Sequence, residues 1–123
     1  MTEIKNSKKY DLEERTLQFA RRVRDFIRAL PKSIDYLEDA KQLLRSSGSV
    51  GANYIEANEA ISKKDFIVRI KICRKESKET GYWLKVIELF GQVDLECEKA
   101  ALIQESTELM KIFGAILRKS EVS

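Results

Sequence analysis

The sequence predicts an all-α protein, an antiparallel up-down-up-down four-helix bundle, and three observations carry that prediction. Apolar residues recur at helical spacing in four separate stretches. The connections between those stretches are only a few residues long, which makes consecutive helices antiparallel neighbours. Between Leu43 and Glu59 the chain is dotted with glycine, serine and asparagine, yet Leu44, Ser47/Gly48, Gly51 and Ile55 keep the spacing of one helix face. Such residues are poor helix formers and would ordinarily signal a loop. On a helix they leave a face with almost no side-chain volume, against which another helix can pack closely.

One domain is expected over 1–123, with 1–10 as a polar N-terminal tail and 120–123 as a short C-terminal tail. Asp11 and Glu14 form a capping-box pattern for the first helix, and Leu12, Thr16, Phe19/Ala20, Val23, Phe26/Ile27 and Leu30 continue it to Pro31. Arg21, Arg22, Arg24 and Arg28 fall on its outer face. The second helix starts near Ser33, with Asp35, Glu38 and Asp39 where the helix dipole favours carboxylates, and runs to about Ala60.

Ser62 and Asp65 are the next capping pair. The third helix is read from Lys63 to Phe90 with two apolar faces. One carries Phe66, Ile70, Cys73, Ser77, Thr80/Gly81, Leu84 and Ile87; the other carries Ile72, Trp83, Val86 and Phe90. A helix in a lone bundle needs one such stripe, so the second, with the only tryptophan, is expected at an interface with another subunit. Gly91 is placed as C-cap and Asp94 as N-cap of a fourth helix running to about Lys119 on Ala101/Leu102, Glu105, Leu109, Ile112/Phe113 and Ile116/Leu117.

The composition excludes several kinds of chemistry. There is no histidine, hence no Ser-His or Cys-His nucleophile pair and no imidazole base. Cys73 and Cys97 fall about 20 Å apart along antiparallel helices, too far for a disulfide. Two lone thiols are not a zinc site. No catalytic residue, metal or cofactor is expected. No apolar run approaches the roughly 18 residues that span a bilayer. Residues 1–9 carry no apolar segment after their charges, so a cytoplasmic protein without a secretory signal is expected.

Two constellations remain. Arg45, Ser49, Asn53 and Glu56 lie nearly in line on the second helix. Antiparallel pairing across Ile61–Ser62 brings residues whose numbers sum to about 123 to one level. Ser49 then meets Arg74, Ser46 meets Ser77, Arg45 approaches Lys78/Glu79, and Glu56 can reach Lys71. This set is a ligand pocket or a hydrogen-bonded network fixing helix register, and the second use is favoured because buried polar groups must be satisfied.

The other constellation is basic. Residues 63–85 hold eight cations and three anions, whereas residues 94–123 hold four cations and six anions, on a chain of net charge +3. Lys64, Lys71, Lys75, Lys78 and Lys85 share one face with Tyr82 among them. Such a row suits a phosphate backbone, with the tyrosine placed to stack on a base. A merely solvated face is the plain alternative.

At 11–16, at 45–60 and at 71–79 the chain resembles the four-helix bundle proteins encoded in intervening sequences of large-subunit ribosomal RNA genes, sometimes labelled ribosomal proteins. Its Arg45-Ser46-Ser47-Gly48-Ser49 run, with Asn53 after it, is the most specific part. The resemblance covers about residues 11–117 and implies a bundle that assembles as a homopentamer. It also implies an architecture similar to the accessory protein of diversity-generating retroelements, which binds nucleic acid and a reverse transcriptase. The expected function is a non-enzymatic oligomer binding RNA or DNA through the third helix; the rival is an assembly scaffold for protein partners alone.

Overall fold

In a computed structural model of the chain, residues 3–122 are described, with side chains described for 12–121. They form α1 (Glu3–Ala29), α2 (Ile34–Asn58), α3 (Lys63–Val86) and α4 (Val93–Val122), with no strand among the described residues. Each helix packs on its sequence neighbours and α1 closes against α4, so the bundle is a four-membered antiparallel ring of helices.

Several helix ends depart from expectation, among them the start of α4, which begins at Val93 so that Asp94 lies in its first turn rather than at the N-cap. α1 begins at Glu3, so residues 3–10 are helical rather than a tail, and Asp11 lies inside the helix instead of capping it. The segment is polar, which leaves hydrophobic spacing nothing to register, but its lysines and glutamate are good helix formers. At the other end α4 runs to Val122, where a tail was expected from 120.

The turns follow local chemistry. α1 stops at Ala29, two residues before Pro31. Ser33 holds the extended conformation of an N-cap (φ −144°, ψ 160°) without a side-chain cap bond. Ser62 does cap α3, accepting from the Asp65 N–H at 3.0 Å. α3, however, ends at Val86, four residues short of the expected Phe90. From Ile87 the chain is extended, and alternate residues turn inward: Ile87 and Leu89 are buried while Glu88 and Phe90 are exposed. The Tyr36 hydroxyl donates to the Glu88 carbonyl at 2.6 Å, and Lys99 donates to that of Ile87. Gly91 then takes φ +74°, so it is the hinge of this turn and not a helix cap.

The core is Phe19, Val23 and Phe26 of α1, Leu43 and Val50 of α2, Ile70, Cys73 and Leu84 of α3, and Leu102, Leu109 and Phe113 of α4. Tyr54 and Phe113 meet across the middle with ring centroids 5.9 Å apart. The small residues act at two crossings. A Cβ on Gly51 would come within 2.9 Å of Thr16 Oγ1, and one on Gly81 within 2.8 Å of Ser106 Oγ. α2 thus meets α1 through Gly51, with Ser47 buried one turn before it, while Leu44, Gly48 and Ile55 are exposed. The close-packing face is narrower than the spacing implied.

Ion pairs set the remaining register. Arg15 of α1 reaches Glu105 (2.6 Å) and Glu108 (2.9 Å) of α4, and Arg22 reaches Glu98 at 3.2 Å. The hydrogen bonds and charge of Glu105 outweigh partial burial and raise the Arg15 guanidinium above its ordinary value, so it is always charged. Within the fourth helix Ser106, one step from the expected Glu105, occupies the buried position.

Candidate nucleic-acid interface

α3 places its inward residues, Ile70, Cys73, Ser77, Thr80, Gly81 and Leu84, in the core. Lys64, Lys71, Lys75, Lys78, Tyr82 and Lys85 recur at steps of seven, four, three, four and three, and all are exposed on the opposite side. Tyr82 is 59% exposed, with its ring edge-on to Trp83 at 5.0 Å. Two lysines have weak neighbours: Lys71 lies 3.8 Å from Glu121, and Lys75 3.8 Å from Glu76. The exposed Lys71–Glu121 pair is worth about 0–1 kcal/mol, too little to hold Lys71 back from a stronger anion, and the buried Glu76 carboxylate is already engaged by Arg45.

The carboxylates of the same helix are drawn elsewhere. Glu76 is only 5% exposed and accepts from Arg45 Nη1 of α2 at 3.3 Å. Glu79 accepts from Arg45 Nη2 and, at 3.1 Å, from the Trp83 indole N–H. Burial alone would raise the Glu79 carboxyl, but the Trp83 and Arg45 hydrogen bonds, with the charges of Arg45 and Lys75, hold it below the ordinary carboxylate range. Arg45 in turn is raised, chiefly by its bond to Glu79. The negative charge of mid-α3 is therefore bound to α2, while the lysine row faces outward.

Part of the expected polar network assembles. Asn53 donates to Ser49 Oγ and to the Ser49 carbonyl, each at 2.9 Å, and accepts from Arg69 Nη1 at 2.9 Å. Arg45 meets Glu79 as expected. Deeper in the interface Thr80 Oγ1 donates to Ser46 Oγ at 3.0 Å, and the Cys73 thiol to the Val50 carbonyl at 3.4 Å. These pairs keep close to the expected antiparallel level.

Three members do not join. Glu56 is exposed and reaches neither Lys71 nor any recorded partner. Ser77 donates to the Cys73 carbonyl of its own helix at 2.8 Å. Arg74 turns away from Ser49 toward α4, near Gly114. The reason is angular: Arg74 and Glu56 sit on the outer shoulders of their helices, a turn-fraction beyond the α2/α3 seam. Glu76, Arg69 and Thr80 fill the seam instead. They are one or two residues from positions that were expected, a displacement that level-matching alone cannot resolve.

The residues expected at an oligomer interface are only partly together. Ile72 and Trp83 are half-buried, Val86 is 37% exposed, and Phe90, 78% exposed, lies beyond the end of α3 in the turn. They do not form a continuous stripe on one helix. Both cysteines are free, Cys73 buried and Cys97 exposed. Among the described residues no group of acidic or cysteine side chains could hold a metal, and no helix is long and apolar enough to cross a membrane.

The class this defines is an antiparallel four-helix bundle with a basic outer helix face. Comparison with known proteins then places it. The family model for the 23S rRNA-intervening sequence protein matches residues 8–115, and the chain belongs to that family. It is similar to a crystal structure of a protein of unknown function from the S23 ribosomal protein family of Bacteroides thetaiotaomicron, with 32% identity and a TM-score of 0.77. The match covers 90% of this chain and 98% of that one. No curated protein matches.

Proposed function

We propose that this protein is a non-enzymatic, cytoplasmic, oligomeric module that binds nucleic acid, RNA first, through the outer face of α3. The observation that supports it is the division of charge on that helix: Lys64, Lys71, Lys75, Lys78 and Lys85 face outward, while Glu76 and Glu79 are held by Arg45. Lysines displace counterions from phosphates and supply affinity without reading sequence. Tyr82, exposed within the row, offers a stacking surface for an unpaired base. In a homopentamer the row would repeat and its field would add.

The test is RNA binding at two salt concentrations. Tight binding at low salt that weakens as salt rises, and that is lost in Lys75→Glu/Lys78→Glu, supports the proposal. Absence of binding at low salt, or binding indifferent to both salt and the charge reversal, refutes it.

A scaffold for protein assembly is the second reading. It rests on the apolar residues exposed at the end of the bundle where the α1–α2 and α3–α4 turns lie: Ile34 (76%), Val93 (68%), Leu37 (54%) and Phe90. Light scattering with a pull-down separates the two, since a scaffold retains protein and no nucleic acid.

A further inference from the structure

Beside the α3 row lies an open groove of about 530 Å³ between α3 and α4, lined by Lys71, Arg74, Lys75 and Lys78 from one helix and Lys111 and Arg118 from the other. Met110 and Gly114 complete it, and no carboxylate lines it. α4 carries more acid than base, so the cations of its second half are hidden in its overall charge.

The floor is Gly114. A Cβ built there would stand 3.6 Å from Arg118 Nη1 and 3.9 Å from Arg74 Cδ, so arginines from two helices converge over one bare stretch of backbone. Gly114 is buried in consequence. Arg74, Lys78 and Arg118 have no ion-pair partner among the described residues, in contrast to Arg15, Arg22 and Arg45, each of which is spent on a carboxylate. Six cationic side chains thus line one groove with no carboxylate among them, and a bound anion would balance that charge. Guanidinium groups, planar with five donors, match the paired oxygens of a phosphate.

We infer that this groove is the gripping point for the phosphodiester backbone of a single strand, with Arg74 and Arg118 closing on one phosphate and the four lysines neutralising its neighbours. The inference rests on the proposed nucleic-acid function and deepens it: the interface is two-helical, and half of it comes from α4. Tyr82 stands two turns beyond Arg74 along α3, about 12 Å away, so a strand held in the groove runs past its ring. A ribose and a deoxyribose strand share the phosphodiester that the groove addresses, and the two are expected to bind alike.

The experiment is fluorescence anisotropy with a short fluorescein-labelled single-stranded RNA, and with the matching DNA, on the full-length protein. For single strands the salt slope is about 0.7 per phosphate contact, so at roughly 0.1 M salt each contact is worth about fivefold. Arg74→Gln/Arg118→Gln releases the one phosphate the two arginines grip, so it should weaken binding about fivefold and reduce the slope by about 0.7. Arg24→Gln/Arg28→Gln, which removes the same charge from the outer face of α1, should leave binding within about twofold of the parent. All four side chains are exposed, so both variants should retain helical circular dichroism. In the amide spectrum the Gly114 resonance should move on titration with the RNA.

Equal losses from the two arginine pairs would mean bulk charge alone and overturn the groove. So would RNA binding with Gly114 unmoved, or binding abolished by Lys64→Gln/Lys85→Gln but unchanged by Arg74→Gln/Arg118→Gln; in both cases the α3 interface survives. Failure of the parent protein to bind either strand at low salt overturns the groove and the nucleic-acid function together.

Discussion

Two glycines three residues apart on α2 should respond oppositely to the same substitution. Gly48 has nothing within 4 Å of the Cβ it lacks, so Gly48→Ala adds only helix propensity, about 0.8–1 kcal/mol of stabilisation. Gly51→Ala gains the same propensity but drives a methyl to 2.9 Å from Thr16 Oγ1 and 3.2 Å from Thr16 Cβ. Thr16 cannot swing aside at no cost, because it is buried and its hydroxyl donates to the Leu12 carbonyl at 2.8 Å. Overpacking of this kind costs about 1–3 kcal/mol. The propensity gain cancels between the two variants, so their stabilities should differ by about 1–3 kcal/mol, with Gly48→Ala above the parent and Gly51→Ala at or below it. For a domain of this size that is a separation of roughly 4–12 °C in Tm. Urea midpoints at fixed protein concentration measure it, with unchanged slopes confirming that the denatured state is not the source. Equal stabilisation by the two alanines would show that α1 and α2 do not approach closely at Gly51.

Three further predictions concern single groups. Ser62→Ala removes the one side-chain cap recorded at the start of α3 and should cost about 1 kcal/mol in thermal unfolding, with Ser62→Asp restoring most of it. Ellman's reagent should titrate one thiol in the native protein and two after denaturation, because Cys97 is exposed while burial pushes the Cys73 thiol up to about 12. Glu79 has a lowered carboxyl pKa in the folded state, so its contribution is present above the unfolded value of about 4.3 and is lost as pH falls through the folded value. Glu79→Gln should therefore flatten the dependence of Tm on pH below about pH 4.5; a curve superimposable on the parent's would remove the Arg45–Glu79–Trp83 cluster as a source of acid lability.

Much of the architecture was legible because it depends on periodic burial. The inward residues of α1, α3 and α4 were largely marked by their spacing, whereas on α2 the expected face of Leu44, Gly48 and Ile55 is exposed and Leu43, Val50, Tyr54 and Ala57 are buried instead. The α2/α3 level fell where a short turn at Ile61–Ser62 requires it: Val50 meets Cys73, and Asn53 meets Arg69. The end of α3 was not legible, since Ile87 continues the helical rhythm and Leu89 is apolar as well. A buried residue at period two and one at period 3.6 coincide over so few positions, and the core's demand for Leu89 decided in favour of an extended turn. The N-terminus failed for the opposite reason, having no apolar pattern to follow.

What the sequence determined by itself is whatever repeats along one helix: four amphipathic rods, their order, their antiparallel sense and the lysine row of α3. What only the tertiary structure decided is which side chains meet between rods. Arg45 selects Glu76 and Glu79, Arg74 turns to Gly114 and Arg118 rather than to Ser49, and Gly51 finds Thr16. Periodicity fixes an angle about a single axis, whereas a contact depends on the rotation, level and separation of two axes together. The packed core sets those three quantities, and no single stretch of chain contains them.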